Sequence, residues 1–215
     1  MTEHTSIPIT RIDASPERAA DIRKAVLSIQ IGPSGPEQRV ASLEDAAAFY
    51  DFLVDPRVHA AIYSLPRPLT LAATHAFISK YVEAQRRGEG LLLLTWDDQD
   101  RVASYSSLEI WPEWAAGELT GALHPDRQSQ GAGGTGAAST FEWMFDVLKL
   151  DLVCATAALD NQRTAKMLDR IGFARKGEIT CFRPDGTERP SRVWEMTRQA
   201  WSEAEAARVA GQTTR

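Results

Sequence analysis

A glycine-rich stretch near the middle of the chain constrains the fold more than any other feature. Gly131, Gly133, Gly134 and Gly136 fall within six positions, and an amphipathic run follows over 137–150. Glycine weakens a helix interior but lets the backbone approach a ligand closely. The first N–H groups of a helix have no partner inside it and carry partial positive charge. The stretch therefore predicts the entrance of a helix, and it leaves open whether that entrance binds phosphate or only begins the helix.

The composition of the 215 residues is that of a soluble globular protein, with 43% hydrophobic and 25% charged residues. A net charge of −5 argues against a general nucleic-acid or anionic-membrane binder. The two cysteines make no disulfide framework, and no apolar run approaches the ~20 residues that span a membrane. Because no signal peptide is visible either, we expect a cytoplasmic protein without nucleic-acid or membrane partners.

Three strands are predicted before the glycine-rich stretch, after a run of helical patterns. The helical spacing of apolar residues ends at Gly88, and β-type runs then follow at 91–96, 102–111 and 118–123. The connections between these strands are short, so we expect an antiparallel meander. Three aspartates in the first connection, Asp97, Asp98 and Asp100, lack the frame of a calcium loop, and we expect no metal site there.

A strand–helix–strand unit is predicted around the glycine-rich stretch. The strand 118–123 precedes it, the helix 137–150 follows it, and the small apolar run 152–158 is typical of a central strand. Such a unit forms a right-handed crossover between two parallel strands. Further along, a helix from Asn161 and two more strands complete the pattern. The predicted fold class is therefore α/β (α+β), a mixed central sheet in which an antiparallel meander precedes a βαβ crossover, with helices on both faces.

Two common phosphate-binding motifs do not fit the glycines. A G-x-G-x-x-G pattern runs from Gly131 to Gly136, but seven residues separate Leu123 from Gly131, whereas the dinucleotide fold begins its loop directly after the strand. That fold also needs alternating strands and helices, which the meander does not supply. A P-loop is excluded because no Gly-Lys-Ser/Thr follows.

Three motifs together resemble the GNAT superfamily of N-acetyltransferases, in its RimJ/RimL-type branch. Gln128-Ser-Gln-Gly-Ala-Gly133 resembles the acetyl-CoA loop, and Asn161 to Phe173 resembles the second helix motif. The third motif comprises Phe182-Arg-Pro-Asp-Gly, Val193-Trp-Glu-Met and Trp201. The resemblance implies three segments: an N-terminal helical extension (1–36), a GNAT domain (37–201) and a C-terminal helical tail (202–215).

The resemblance also implies how acetyl-CoA, the acetyl-donor cosubstrate, would be held. Pantetheine would pair with backbone around Leu123, His124 and Pro125, and Asn161 would bond to the same arm. Arg163 and Lys166 would approach cofactor phosphate. Pyrophosphate would bind the amides of one segment, namely Gln128, Ser129, Gln130, Gly131, Ala132, Gly133 and Gly134.

Two residues are predicted to perform the chemistry. Glu118 stands where many relatives carry a strand glutamate that takes the proton of the amine, and Glu109 on the neighbouring strand is the alternative base. Many members have a tyrosine acid seven residues after the helix-opening asparagine, but this position is Leu168. The RimJ/RimL-type branch has Ser or Thr three residues after the asparagine, which makes Thr164 the candidate acid.

The expected function is transfer of an acetyl group from acetyl-CoA to a primary amine by direct attack in a ternary complex. The amine could belong to a protein N-terminus or to a small molecule, and its identity stays open. The alternative is an acyl-CoA-binding sensor that keeps the fold without catalysis, which the missing tyrosine makes conceivable. Trp111 and Trp114, at a hairpin, favour either an acceptor-binding wall or a homodimer interface.

Overall fold

Within the residues that the computed structural model describes (7–60, 62–127, 132–182 and 185–213), seven strands form one mixed sheet. Their order across the sheet is β1-β2-β3-β4-β5-β7-β6. The strands are β1 (Gln38–Val40), β2 (Gly90–Trp96), β3 (Val102–Trp111), β4 (Ala116–Leu123), β5 (Leu152–Ala158), β6 (Ala174–Phe182) and β7 (Glu188–Thr197). The predicted meander of β2, β3 and β4 is antiparallel, and β4 pairs with β5 in parallel, so the predicted fold class is confirmed.

Helices cover both faces of the sheet. Their bounds are α1 (Pro16–Ser28), α2 (Ala46–Leu53), α3 (Pro56–His59), α4 (Leu71–Arg87), α5 (Ala132–Asp146), α6 (Gln162–Ile171) and α7 (Arg198–Thr213). The helix ends are capped: the Ser15 side chain accepts the N–H of Arg18, and Gly88, the predicted end of the helical pattern, ends α4 in the left-handed conformation. These ends follow from local chemistry, because a short polar side chain satisfies first-turn N–H groups and glycine tolerates positive φ.

The strand alternation divides the apolar residues into two cores. One face carries Tyr105 and Leu92, which pack against Phe49 and Phe77 of α2 and α4; we call it the α4 face. The opposite face, the α5 face, carries a larger cluster with contributions from α1, α5, α6 and α7. Opposite residues in the sheet register share a face, so Glu109 and Glu118, which pair directly, both lie on the α4 face with Tyr105.

Some elements differ from the sequence prediction. Helix α5 begins at Ala132, five residues before the predicted start at 137, so Gly133, Gly134 and Gly136 lie in its first turns. Gly133 and Gly134 lie among the first residues of α5, whose N–H groups have no intrahelical partner, and the cost of glycine applies to the helix interior. The short strand β1 was not predicted; its three residues pair with β2, and tertiary pairing rather than local propensity forms it.

The N-terminal segment wraps around one end of the sheet. The backbone N–H groups of Ile9 and Thr10 donate to the buried Glu195 carboxylate of β7 on the α4 face, at 2.7 and 2.9 Å. The N–H of Ala14 then donates to the carbonyl of Glu113, and α1 continues into the core of the α5 face. The described residues 7–36 therefore contact both faces of the sheet, while the predicted boundaries of the extension and the tail stay predictions.

Candidate active site

Strands β4 and β5 diverge after three pairs. The parallel ladder joins Ala116–Glu118 to Leu152–Cys154, and no further pair joins these two fully described strands. Beyond this point β4 remains paired with β3, and β5 remains paired with β7. Gly121 supports this path of β4, because a Cβ there would lie 2.3 Å from the carbonyl oxygen of Tyr105 on β3. The result is a wedge, here called the β4–β5 opening, between residues 119–123 and 155–158.

The helices that follow the two strands begin near the wide end of the opening. The chain leaves β4 at Leu123 and reaches the start of α5 at Ala132, and it leaves β5 at Ala158 and reaches α6 at Gln162. The N-terminal ends of both helices therefore follow the carboxyl ends of two adjacent parallel strands, a position where folds of this type bind ligands. The backbone N–H groups of such helix ends favour an anion.

Glu118 and Thr156 face each other across the narrow end of the opening. The hydroxyl of Thr156 on β5 donates to Oε1 of Glu118 on β4 at 2.7 Å. Glu118 is half-buried and is the last residue of β4 in the ladder with β5. A carboxylate therefore stands where the two strands part, with one oxygen already hydrogen-bonded.

Burial raises the pKa of Glu118 to about 7, well above the ordinary 4.5 of a glutamate. The Thr156 hydrogen bond and the positive charge of Arg189 act in the opposite direction, and the negative charge of Glu109 adds to the rise. Loss of hydration disfavours the charged carboxylate, which is why burial dominates. A group with this pKa changes protonation near neutrality, so Glu118 is suited to accept and release a proton there.

Glu109, the alternative base, has a different environment. It lies opposite Glu118 in the β3–β4 register and forms a 2.8 Å salt bridge with Lys80 of α4. The Glu109 side chain is 45% exposed. Glu118, by contrast, lies at the point where β4 and β5 separate. The Glu109 carboxylate is already engaged by Lys80 at the surface, whereas the Glu118 carboxylate stands at the opening, so this geometry favours Glu118 over Glu109 as the residue that exchanges a proton.

The α4 face of the opening is bordered by a contact between distant segments. The guanidinium carbon of Arg189, on β7, lies 4.3 Å from the ring centroid of Tyr63, in the connection between α3 and α4. By strand alternation, Arg189 shares the α4 face with Thr156 and Glu118. The contact joins the β5–β7 half of the sheet to the helices that cover β2–β4, which places an aromatic ring and a cation at this side of the opening.

The predicted residues of α6 lie at the start of that helix. The Asn161 side chain accepts the N–H of Thr164 at 3.1 Å and so caps the helix, while the Thr164 side chain is half-buried. Arg163 and Lys166 are exposed on the same first turns. Within the part of the chain that the structure describes, Thr164 and Glu118 make no hydrogen bond to each other, and they belong to opposite arms of the opening. The structure thus brings Glu118 together with Thr156 rather than with Thr164.

The predicted residues after β4 lie partly within and partly outside the described residues. Leu123 is the last residue of β4, and its side chain lies on the α5 face. The backbone N–H of His124 donates to the carbonyl of Ala103, and its Nδ1 accepts the N–H of Asp126 at 3.3 Å, so His124 stabilises the local backbone. Pro125 begins a short 3₁₀ turn. The predicted pyrophosphate residues Gln128, Ser129, Gln130 and Gly131 lie outside the described residues, while Ala132, Gly133 and Gly134 form the start of α5.

The nearest thiol is not a nucleophile. Cys154 pairs with Glu118 in the β4–β5 ladder and is buried, and burial together with nearby carboxylates raises the pKa of its thiol far above the ordinary value. It is therefore protonated at neutral pH, and only a thiolate attacks efficiently.

Among the described residues, no group of three or more His, Cys, Asp or Glu side chains is arranged to hold a metal ion. In the same part of the chain, no helix has the length and apolar character to cross a membrane.

Thr156 and Arg189 were not identified from the sequence. Thr156 is the one hydroxyl in an otherwise apolar strand, and a buried hydroxyl needs a hydrogen-bond partner, so its presence was a usable signal. The partner is 38 residues away and becomes evident only from the register of β4 and β5. Arg189 carries no comparable local signal, because arginine is common in exposed hairpins.

A sequence profile described as an acetyltransferase (GNAT) domain matches residues 39–174, more than half of the chain. Among curated protein sequences, none matches at a significant level. The similar solved structures are distant in sequence. The ribosomal-protein-S5-alanine acetyltransferase of Vibrio fischeri is 19% identical, with a TM-score of 0.64 over 76% of this chain and 93% of its own.

Two further structures share the fold and contain coenzyme A. RimJ from Mycobacterium smegmatis in complex with CoA-disulfide is 16% identical, with a TM-score of 0.65 over 81% of this chain and 88% of its own. Spermidine N-acetyltransferase from Vibrio cholerae, in complex with CoA and spermine, is 14% identical, with a TM-score of 0.63 over 76% of this chain and 96% of its own. The first two of these three neighbours are consistent with the RimJ/RimL-type branch predicted from the motifs.

Proposed function

This chain belongs to the GNAT family of acetyltransferases, and on that basis we propose that it transfers the acetyl group of acetyl-CoA to a primary amine in a ternary complex. The observation that carries this proposal is the pair of features at the β4–β5 opening. A gap between parallel strands can admit an extended chain, and a carboxyl with a pKa of about 7 stands at its narrow end.

The residues present fit an acyl-CoA in the opening. From Leu119 onward, β4 has no ladder to β5, so an extended pantetheine arm can pair with this edge as a strand would. Helix α5 begins where the pyrophosphate is proposed to bind, and Gly133 and Gly134 allow close approach to its first amides. Asn161 would bond to the pantetheine arm. Arg163 and Lys166 are exposed on the first turns of the helix that Asn161 caps, and they would help to hold the cofactor phosphate. Acetyl-CoA supplies the acetyl group in an activated thioester.

Glu118 acts as the general base in this proposal. The acceptor amine must be neutral to attack, and its proton passes to the carboxylate directly or through one water. Oε1 of Glu118 is bonded to Thr156, which leaves Oε2 for that proton. The raised pKa matches the carboxylate to this task near neutral pH, since a base of ordinary acidity would bind the proton more weakly.

Thr164 is proposed as the group that hydrogen-bonds the departing thiolate. It lies in the first turn of α6, and its backbone N–H is held by Asn161, which fixes where its side chain begins. The protonated state of Cys154 gives the enzyme no thiolate of its own beside Glu118, in agreement with direct attack by the amine.

The acceptor is proposed to enter from the α4 face. Glu118 faces this side, and the Tyr63–Arg189 contact borders it, whereas α5 and α6 cover the other side. Trp111 and Trp114 lie at the closed end of the strands, and Arg11 of the N-terminal segment packs 4.6 Å from the Trp114 ring centroid. The chain itself thus occupies part of the surface on which the homodimer prediction rested, and that prediction stays untested.

The experiment that tests the function follows release of free thiol from acetyl-CoA with a panel of amines, including peptides with free N-termini and polyamines. We expect turnover with at least one amine, and Glu118→Gln should lower kcat by about 10²-fold or more at neutral pH and weaken the rise of activity with pH. Glu109→Gln serves as the matched control on the opposite residue. Binding of acetyl-CoA without turnover on any amine would instead favour the acyl-CoA sensor, and an unchanged pH profile in Glu118→Gln would remove Glu118 as the base.

A further inference from the structure

The hydrogen bond between Thr156 and Glu118 joins the two arms of the opening. Beyond Cys154 the strands no longer share a ladder, yet two residues later Thr156 reaches back to the carboxylate at 2.7 Å. The remaining side chains of β5 are Leu, Val, Cys and Ala. One hydroxyl in this apolar strand is therefore aimed at the residue proposed as the base.

Thr156 is a rigid partner. The backbone of β5 is held on its other side by β7, where Thr156 pairs with the buried Val193. A β-branched side chain in a strand has few χ1 rotamers, so the position of the hydroxyl follows from that of the backbone. Glu118, by contrast, has a longer side chain on a strand that has just left its ladder. The threonine thus restricts a carboxylate that would otherwise choose among several rotamers.

The contact determines which carboxylate oxygen receives a proton. Oε1 accepts the Thr156 hydrogen bond, while Oε2 has no hydrogen-bond partner among the described residues and is the oxygen left for the acceptor amine. A hydrogen bond to the ionised form also opposes the effect of burial and of Glu109 on the carboxyl, and so keeps more of Glu118 ionised near neutrality.

We propose that Thr156 is a positioning residue, which holds the carboxylate of Glu118 across the β4–β5 opening in the orientation that accepts the proton of the acceptor amine. The proposal rests on the proposed function, in which Glu118 is the base. A purely structural role for Thr156 would require only that its hydroxyl be satisfied, and such a role would affect folding stability without moving the pH dependence of catalysis.

The test compares Thr156→Val, which removes the hydroxyl at nearly constant shape, with Thr156→Ser, which keeps it. For Thr156→Val we expect the ascending limb of the pH profile of kcat/KM to shift to higher pH by about one unit, because the hydrogen bond that favours the ionised carboxylate is lost. At pH 7 kcat should fall about tenfold, while the KM for acetyl-CoA should stay within about twofold of the wild-type value. Thr156→Ser keeps the hydroxyl, so its pH profile and its kcat at pH 7 should lie close to those of the wild type. The matched control is Thr95→Val on β2, where the hydroxyl has no hydrogen-bond partner in the described chain; its profile should equal that of the wild type.

The Glu118→Gln background separates the two proposals. If Thr156 acts through Glu118, adding Thr156→Val to Glu118→Gln should lower turnover no further. A wild-type profile in Glu118→Gln alone would refute the base assignment, whereas a wild-type pH limb in Thr156→Val would refute the positioning role even if Glu118→Gln is inactive.

A second measurement does not depend on turnover or on the valine variant folding well. The side-chain carboxyl of Glu118 can be titrated by ¹³C NMR in the wild type, in Thr156→Ser and in Thr156→Ala. We expect its midpoint to rise in Thr156→Ala and to stay near the wild-type value in Thr156→Ser. Equal midpoints in all three proteins would overturn the proposal.

Discussion

At the scale of single residues, the environment of Glu118 and that of Glu109 differ although the two carboxyls are direct neighbours across β3 and β4. Glu109 reaches solvent and Lys80, so its charge is compensated at little cost. Glu118 points to the place where β4 parts from β5, and burial there raises its pKa to about 7. Two glutamates opposite each other in the sheet thus differ chemically, because one is compensated at the surface by Lys80 and the other loses hydration.

The raised pKa has a consequence for stability that Glu118→Gln should reveal. Between about pH 4.5 and about pH 7 the unfolded chain has released the proton while the folded chain still holds it, so the contribution of Glu118 to stability falls as pH rises through this window. Glutamine cannot lose a proton, and its oxygen can still accept the Thr156 hydrogen bond. We therefore expect the Tm difference, variant minus wild type, to be more positive at pH 8 than at pH 4.5.

Thermal unfolding at the two pH values measures this difference, with Glu109→Gln as the control. Because Glu109 forms an exposed salt bridge, we expect its substitution to change stability by less than about 1 kcal/mol at either pH. Equal Tm differences for Glu118→Gln at both pH values would show that the carboxyl is not strained by burial.

At the scale of elements, the starts of α5 and α6 make different use of helix N-termini. Helix α6 is capped by its own side chain, since Asn161 accepts the N–H of Thr164. Helix α5 begins with Ala132-Gly-Gly, and its first amides are the ones proposed to bind pyrophosphate. One helix start thus depends on a side-chain cap for its stability, and the other is the one proposed to bind the pyrophosphate.

Variants of Asn161 should separate capping from binding. We expect Asn161→Ala to destabilise the protein by about 1 kcal/mol, because a first-turn N–H loses its acceptor, and to weaken binding of coenzyme A. Asn161→Ser retains a capping hydroxyl but is too short to reach a ligand, so it should restore the stability and leave the affinity low. Chemical denaturation and calorimetric titration measure the two effects. Recovery of affinity in Asn161→Ser would mean that the amide does not contact the cofactor.

A carboxylate at the start of α5 should act in opposite directions on folding and on binding. Gly133→Asp adds a negative charge where the helix dipole favours it, so we expect stability to be unchanged or slightly higher. The same charge repels a phosphate, and we expect the affinity for acetyl-CoA to fall about tenfold or more at low salt and by less at high salt. Gly131→Asp should weaken binding as well. Unchanged affinity in both variants would remove this segment from the pyrophosphate site.

At the scale of the whole molecule, the N-terminal segment ties the two faces of the sheet together at the closed end of the opening. Glu195 is 2% exposed and accepts two backbone N–H groups of residues 9 and 10, and α1 then adds Ile22 and Val26 to the core of the α5 face. Because the segment crosses from one face to the other, its contacts support the half of the sheet in which β4 and β5 are still paired.

Removing this attachment should loosen the segment before the rest of the fold. In Glu195→Ala the two N–H groups lose their acceptor, and we expect a loss of about 1–3 kcal/mol together with faster limited proteolysis before residue 15. Glu195→Gln keeps an acceptor oxygen and should be cut at close to the wild-type rate. Identical cleavage of Glu195→Ala and wild type would show that the carboxylate does not hold the segment.

The sequence by itself determined the secondary structure where local chemistry decides it. Gly88 marks the end of α4 correctly, and the apolar run of β5 has the predicted bounds. The family predicted from the motifs is confirmed, and two of the three motifs, 128–133 and 161–173, lie within the matched residues 39–174. Local signals failed where pairing decides, as in β1, whose three residues form a strand only because β2 offers an edge.

Only the tertiary structure decided how the candidate site is assembled. The sequence offered Glu118 and Glu109 as alternative bases, and their different surroundings emerge only from the sheet, because Glu118 bonds Thr156 across the opening and Glu109 reaches Lys80 of α4. It also gave no partner for Thr156, since a hydrogen bond between residues 38 apart depends on strand register rather than on spacing along the chain. Register and burial are properties of packed strands, and they turn an ordinary glutamate into one that exchanges a proton near neutral pH.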